Sequence, residues 1–586
     1  MADREFSIPA LLETRAEQQP DDIAYTFVDY DADPAGFAES LTWSELRQRV
    51  EVVAATLGAL GAPGDRALVV APQGLEYVIG FLGAIRAGFI AVPLSVPQPG
   101  HHDERIASVL QDCAPVAVLT TFEVVDEVRI YAQAHTGQRQ PRVIEVDALD
   151  FDSPVKTTVV ENHSKVDVVQ AYPKVAYLQY TSGSTRAPAG VEITHKNAIV
   201  NIEQAITEYF EDFGGQAPAD MTVVSWAPLY HDMGLILGVF CSLGTGRPAV
   251  LLSPVAFMQK PVRWIQQMAA HTSVFTAGPN FAFDVAAGRS SDADLAGLDL
   301  SGVLVMINGG ERVLGTTVRR FNERFGPYGL TDWSMRPTLG MAEAAVFVVT
   351  SAGGRPPTMV RFDTEKLAAG HAEVCATGGT ELVTAGTPRT CELRVVDPET
   401  LLEKPAGEVG ELWMQGDQVG AGYWRNPEAT ERTFNGQLAQ TSEGAPAGRW
   451  LRTGDLAVMF EGESYIIGRL KDLLIVDGRN HYPDDIEATV TEVTGGRVAA
   501  VAVTDDTTEK LIVIAEVKPA DPDRLAELKQ LVTAAVSRDH GVRVSDAMFV
   551  APRSLPITTS GKVRRKSSLQ LYQSGEFHRL KEGVPR

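Results

Sequence analysis

Tyr180-Thr181-Ser182-Gly183-Ser184-Thr185-Arg186-Ala187-Pro188-Ala189-Gly190 follows a short apolar run at residues 175–178 that reads as a β-strand. Hydroxyls and glycines crowded into a turn after a strand offer side-chain donors and approachable backbone N–H groups, the set that wraps phosphate oxygens. The segment lacks the Gly-Lys-Ser/Thr of a Walker loop. By composition alone it would pass as a polar surface turn, so its weight depends on its surroundings.

Outward from this loop, short runs rich in Val, Ile or Leu recur at residues 67–71, 116–121, 175–180, 223–226, 249–252, 274–277 and 303–307. Helix-length amphipathic stretches such as 44–60 and 313–325 lie between several of them. This alternation predicts mostly parallel sheets covered by helices. From about residue 352, Gly and Pro become frequent and strands shorten (394–396, 409–414, 465–467), which predicts a β-rich subdomain. After Gly468, strands at 498–503 and 511–517 and a helix at 525–536 predict a compact α+β body. The expected fold is therefore α/β plus α+β. A large N-terminal domain, residues 1–467, holds two sheet-helix subdomains and the β-rich subdomain at about 352–467. A small, mobile C-terminal domain, residues 468–586, follows the hinge-like segment Ile467-Gly468-Arg469-Leu470-Lys471-Asp472.

A chain of 586 residues exceeds what one hydrophobic core supports. Its formal net charge of -23 argues against nucleic acid as the main partner, and leaves ATP open because local donors hold it. The N-terminal residues carry no basic stretch followed by an apolar run, so no secretory signal is expected. The most apolar segments, 75–93 and 235–243, are charged or too short to span a bilayer. The expectation is a cytoplasmic protein that is not transmembrane. Its four cysteines are scattered with no ligand spacing, which predicts neither a zinc site nor a disulfide framework.

Five further segments carry polar groups in suggestive settings. Trp226-Ala227-Pro228-Leu229-Tyr230-His231-Asp232-Met233-Gly234 precedes an apolar helix that Asp232 is suited to cap. In Asn308-Gly309-Gly310-Glu311-Arg312, the glycines let a ligand approach the backbone. Leu339-Gly340-Met341-Ala342-Glu343 ends on a carboxylate. Arg452-Thr453-Gly454-Asp455 offers two carboxylate oxygens to a pair of hydroxyls. Pro556-Ile557-Thr558-Thr559-Ser560-Gly561-Lys562-Val563-Arg564-Arg565 sets an ammonium beside a glycine, from where it can reach a developing charge.

In this order, the motifs from Thr181 to Lys562 resemble those of the adenylate-forming superfamily, which includes acyl-CoA synthetases, peptide-synthetase adenylation domains and firefly luciferase. The phosphate loop most resembles that of the fatty-acyl-AMP ligases (long-chain fatty acid adenylyltransferases), in particular the mycobacterial ones that load lipid-building polyketide synthases. The resemblance implies the acyl-CoA synthetase/luciferase-like fold, with ATP and Mg2+ as cofactors. It assigns Thr181, Ser182, Gly183, Ser184, Thr185 and Arg186 to the ATP phosphates. Gly309, Gly310, Glu311, Leu339, Gly340 and Met341 would meet adenine, Asp455 the ribose, and Arg469 would sit near the nucleotide. His231, Glu343 and Lys562 would be catalytic, Glu343 holding Mg2+, with Lys471 the pivot of the small domain. Gly278, Asn280, Phe281 and Phe283, in Ala277-Gly278-Pro279-Asn280-Phe281-Ala282-Phe283, would line an acyl tunnel. Three positions depart from the superfamily pattern: Arg186 replaces a Gly, Ala189 a Lys, and Leu339 an aromatic residue.

The implied reaction joins a medium- or long-chain fatty acid to AMP. Acyl transfer to the phosphopantetheine thiol of an acyl carrier protein or polyketide synthase then follows. Residues 351–380 resemble the insertion of these ligases that obstructs CoA. The alternatives are a fatty acyl-CoA synthetase, a peptide-synthetase-type domain with Asp284 holding an amino group, and a non-catalytic nucleotide- or lipid-binding relative. The basic C-terminal run, with Arg564 and Arg565, is a candidate dock for an acidic carrier.

Overall fold

The computed structural model describes residues 7–97, 104–134, 140–152, 172–180, 189–441, 444–476, 479–505, 508–518, 521–558 and 561–580. The chain divides into two compact units. The first takes in Met1–Pro357, Gly386–Glu392 and Gln415–Asn435, the second Thr358–Ala385, Leu393–Met414 and Gly436–Arg586.

Two sheets build the first unit. In one, the strands Arg142–Glu145, Ala117–Thr120, Arg66–Val70, Ile90–Leu94 and Val175–Tyr180 are parallel neighbours in that order. Gly190–Thr194 closes its edge antiparallel. In the other, Met335–Gly340, Val303–Gly309, Ser273–Gly278, Met221–Ser225, Ala249–Leu252 and Ile23–Asp29 run parallel in that order. Phe347–Thr350 and Phe37–Thr42 flank them antiparallel. Parallel strands are covered on both faces, which explains the continuous apolar runs: every residue of Met221–Ser225, Ala249–Leu252 and Ser273–Gly278 is buried. The edge strand Phe37–Thr42 is exposed over residues 37–40, so no apolar run announces it.

The helix expected at 44–60 spans Trp43–Gly58. Thr42 and Glu45 form a reciprocal capping box at its start, an arrangement that contributes about 1 kcal/mol. The apolar helix expected after residue 230 is a π-helix over Met233–Phe240, with the Cys241 N–H donating five residues back to the Ile236 carbonyl. Composition gives no sign of this wider helix, a form that is frequent at functional sites.

In the second unit, Met359–Phe362, Thr380–Gly386, Glu463–Arg469, Leu451–Phe460, Val409–Gln415 and Glu392–Val396 form one six-stranded sheet, the β-rich body expected from the sequence. Beyond it, Val498–Asp505 and Val544–Val550 flank Thr508–Glu516 in a three-stranded sheet. Alternation along these strands separates two faces. Val498, Ala500 and Val513 pack with Ile486, Val490, Val532 and Val536 from the helices Pro483–Thr494 and Pro522–His540. Ala499, Val501 and Ile514 pack with Leu569 and Tyr572 from the helix Arg565–Ser574. Pro522–His540 outruns the expected 525–536. Asp521 accepts from the Arg524 N–H at 2.9 Å, proline follows it, and left-handed Gly541 ends the helix.

Candidate active site

The candidate residues of the first unit gather at the carboxyl ends of four adjacent parallel strands. Met221–Ser225 leads to His231, Ser273–Gly278 to Asn280 and Phe281, Val303–Gly309 to Gly310 and Glu311, and Met335–Gly340 to Met341 and Glu343. That edge is where open α/β sheets bind ligands. Close backbone approach explains several glycines. A Cβ on Gly309 would lie 2.4 Å from the Thr338 carbonyl oxygen, and one on Gly340 2.4 Å from that of Val346. At Gly234 it would overlap the carbonyl of Pro228. Gly310 is left-handed, with φ +76°.

The loop carrying His231 is held from two other strand ends. Gln73 donates to the Ala227 carbonyl at 3.1 Å and accepts from the Leu229 N–H at 3.1 Å. Gln179 donates to the Tyr230 carbonyl at 2.8 Å. Asp232 caps Met233 at 2.7 Å, and its carboxylate lies 2.5 Å from His231 Nδ1. Gln73 lies in none of the segments singled out from the sequence, and Gln179 lies in one read only as a strand; each acts from far along the chain.

Residues 181–188, with the calls on Thr181, Ser182, Gly183, Ser184, Thr185 and Arg186, lie outside the described residues. Tyr180 pairs with Gly190, whose missing side chain leaves room for the tyrosine ring: a Cβ would lie 2.8 Å from its Cζ. The Tyr180 hydroxyl donates to Asp112 at 2.5 Å, and burial first, then the neighbouring Cys113 and Asp112, raise its pKa. The strand Gly190–Thr194 pairs in turn with residues 420–424. Trp424 N–H donates to Gly190 at 2.7 Å, Glu192 N–H to Gly422 at 2.8 Å, and Ala421 N–H to Glu192 at 2.9 Å. This pairing delivers Tyr423, whose hydroxyl donates to Glu343 Oε1 at 2.7 Å, while the Gly420 N–H donates to the Glu343 carbonyl at 2.8 Å. The glycine-rich stretch Gly420-Ala421-Gly422-Tyr423 is the signal that sequence reading passed over.

The expected tunnel residues have local tasks. The Asn280 side chain is buried, donating to Thr317 at 3.1 Å and accepting from the Leu314 N–H at 3.1 Å. Phe283 is fully buried, its ring 5.3 Å from Trp264 and 5.1 Å from Phe321. Phe281 packs edge-on to Trp226 at 6.4 Å, and its N–H donates to Glu311 at 2.7 Å. Gly278 ends its strand, with Ala282 and Trp264 at van der Waals distance from where a Cβ would stand. Asp284 accepts from Thr317 at 2.6 Å and pairs with Arg320 at 2.8 Å, which removes the support for its holding a substrate amino group.

In the second unit, Asp455 and Arg469 face each other across antiparallel strands, joined at 2.8 Å. Burial pushes the Asp455 carboxyl above the usual range, and Arg469, then Lys562 and Lys471, pull it back. The four charged residues that the sequence singled out here therefore share one electrostatic neighbourhood. Buried Glu411 fixes the turn before Asp455. It accepts from Arg452 at 2.7 Å, Trp413 at 2.9 Å and the Gly454 N–H at 3.3 Å. The Lys562 carbonyl accepts from the Thr558 N–H at 2.7 Å, and the preceding Gly561 is left-handed. The expectation that Arg565 helps to dock a carrier is corrected. Its guanidinium is committed to Asp472 at 3.0 Å, Asp484 at 2.7 Å and Glu487 at 2.6 Å.

Among the described residues there is no cluster of three His, Cys, Asp or Glu able to hold a metal. A lone carboxylate such as Glu343 still fits Mg2+, which takes one or two carboxylates and completes its shell with phosphate oxygens and water. No described helix is long and apolar enough to cross a membrane.

Known proteins resemble the chain along nearly its whole length. Residues 12–424 match the AMP-binding enzyme family, and 471–582 match the AMP domain of Disco-interacting protein 2-like proteins. The long-chain-fatty-acid–AMP ligase FadD26 of Mycobacterium marinum is 52% identical over 98% of both chains. A putative fatty-acid–CoA ligase, fadD25 of Mycobacterium tuberculosis, is 50% identical over 98% of this chain and 99% of its own. A crystal structure of a fatty acyl-adenylate ligase from L. pneumophila, in complex with acyl adenylate and pyrophosphate, superposes with a TM-score of 0.71 at 29% identity, covering 97% of this chain and 96% of that one. The chain belongs to the AMP-binding, adenylate-forming enzyme family, in its fatty-acyl-AMP ligase branch.

Proposed function

We propose that the chain activates a medium- or long-chain fatty acid with ATP, giving acyl-adenylate and pyrophosphate, then passes the acyl group to the phosphopantetheine thiol of a carrier protein or polyketide synthase. The observation that carries this reading is the convergence of His231, Gly310, Met341 and Glu343 at the carboxyl ends of adjacent parallel strands. In the first step a carboxylate oxygen attacks the α-phosphorus, and the bond to the bridging oxygen breaks as pyrophosphate leaves. Glu343, with phosphate oxygens and water, would hold Mg2+, which neutralises charge on the leaving group. Thr181 to Arg186 supply donors to the same phosphates. His231 orients the substrate carboxylate, and the Asp455 carboxylate accepts from the ribose hydroxyls. The Lys562 ammonium stabilises charge at the α-phosphorus.

In the second step the thiol loses its proton and its sulfur attacks the acyl carbon, and AMP leaves with the electron pair of the cleaved C–O bond. Residues 468–586 turn about Lys471 between the steps and withdraw Lys562. The stretch 351–380, which includes the strand Met359–Phe362 and the helix Thr364–Ala368, disfavours CoA as acceptor in this reading. Dependence on ATP supports a cytoplasmic site of action.

A CoA-transferring reading draws on the relative named a putative CoA ligase. One assay separates the two: radiolabelled lauric acid, ATP and Mg2+ are incubated with the protein, then split between CoA and a phosphopantetheinylated carrier. Adenylate that persists with CoA and moves onto the carrier is expected. Rapid acyl-CoA formation overturns the carrier assignment, and absence of any adenylate overturns the activity.

A further inference from the structure

We infer that Tyr423 is a positioning residue for Glu343, setting how that carboxylate meets the metal–nucleotide; this rests on the reading of Glu343 as the metal ligand. A carboxylate has two oxygens and two faces, and a side chain anchored only at its Cα can turn. Here the Tyr423 hydroxyl donates to Oε1 at 2.7 Å, fixing the plane of the carboxylate. The Glu343 backbone is pinned as well, its carbonyl accepting from the Gly420 N–H at 2.8 Å. Both restraints come from residues 420–424, which is paired to the strand that leaves the phosphate loop: Trp424 N–H to Gly190, Glu192 N–H to Gly422, Ala421 N–H to Glu192.

The tyrosine is itself held. Its N–H donates to Thr430 Oγ1 at 2.9 Å, and its ring packs edge-on to Phe434 at 5.1 Å. Glycine is required at Gly422, next to the tyrosine, and Gly420 is closely fitted. A Cβ on Gly420 would lie 3.0 Å from Val191 and 3.3 Å from the Glu343 carbonyl oxygen. At Gly422, with φ +146°, it would lie 2.6 Å from Thr430 Cγ2. The segment thus couples the carboxylate to the end of the phosphate loop as one braced unit. Hydrogen-bonding partners of metal ligands typically set metal affinity by about 10–100-fold.

The test is Tyr423→Phe, which keeps the ring and removes the donor. Mn2+ binding to the full-length protein with a non-hydrolysable ATP analogue is followed by electron paramagnetic resonance. Steady-state adenylation and thermal melting are measured in parallel, with Glu343→Gln as reference. The expected result is Mn2+ affinity lowered about tenfold in Tyr423→Phe. Its KM for fatty acid and its melting temperature stay unchanged, and saturating Mg2+ restores its rate, while Glu343→Gln loses the Mn2+ signal and is not restored. Unchanged Mn2+ affinity in Tyr423→Phe, with the signal lost in Glu343→Gln, overturns the positioning role alone. Unchanged affinity in Glu343→Gln overturns the metal-ligand reading and this inference with it. A general loss in Tyr423→Phe, with the KM for fatty acid and the melting temperature moving together, assigns the tyrosine to packing and overturns the inference.

Discussion

The two units place their functional residues by different physics. In the first, steric necessity does it: Gly234, Gly309 and Gly340 sit where a carbonyl oxygen occupies the space of a Cβ. In the second, charge does it: Asp455 is balanced by Arg469, Lys562 and Lys471, and Glu411 by Arg452. A site set by contact is insensitive to salt and pH but fails on one added methyl. A site set by charge tolerates volume changes and responds to pH. The contrast suits the proposed chemistry, since a nucleotide pocket needs a fixed shape and a step involving Lys562 needs a movable charge.

The sharpest way to break the contrast is Lys562→Ala. Adenylation should fall by about 100–1000-fold, the order typical when a group stabilising transition-state charge is removed. Transfer from supplied acyl-AMP to a carrier should stay near the wild-type rate. Equal loss in both half-reactions, measured separately, would end the assignment of Lys562 to the first step. Next comes Gly309→Ala, where the added Cβ must displace the Thr338 carbonyl or its own backbone. A shift approaching 1 Å costs about 100-fold in rate, with about 1–3 kcal/mol of stability from overpacking. Urea unfolding and ATP–pyrophosphate exchange check both, and neither loss should depend on salt.

Arg469→Gln probes the charged region. Burial raises the Asp455 pKa and Arg469 opposes that rise, so removing the arginine moves the pKa higher still. ATP affinity that depends on ionised Asp455 is complete above that pKa and lost as pH falls through it. The acid limb of a pH profile for the KM of ATP should therefore shift to higher pH in the variant, the KM weakening most on the acid side. An unshifted limb would detach Asp455 from nucleotide binding.

How much of this was legible before the structure follows the same division. Parallel strands announce themselves through continuous apolar runs, so the fold class could be read directly. Motif order gave the polar candidates of both units. Strand adjacency was hidden, because whether the strand ending at Gly309 lies beside the one ending at Gly340 depends on crossovers that no local pattern encodes. Gln73, Gln179 and Tyr423 were missed for a related reason: each acts across 51 or more residues of sequence on a backbone or carboxylate elsewhere. Tunnel residues were the hardest to judge. An aromatic next to a small residue reads the same whether it lines a channel or, like Phe283, fills a core between Trp264 and Phe321.

The smallest expected effect tests a departure that was visible in the sequence. Leu339 lies at the end of Met335–Gly340, opposite Val349 and partly exposed, where the superfamily pattern has an aromatic residue. If adenine sits against this position, Leu339→Tyr adds a ring face worth about 0.5–1 kcal/mol. The KM for ATP should then fall by about two- to fivefold, with the KM for fatty acid unmoved. The strand already accepts partial exposure here, so stability should hold, and melting curves check that. A gain confined to ATP would place the nucleotide base against the shape-determined edge of the first unit. No change in the KM for ATP, with folding intact, would move the base away from Leu339 and leave the neighbouring Gly340 explained by the Val346 carbonyl alone.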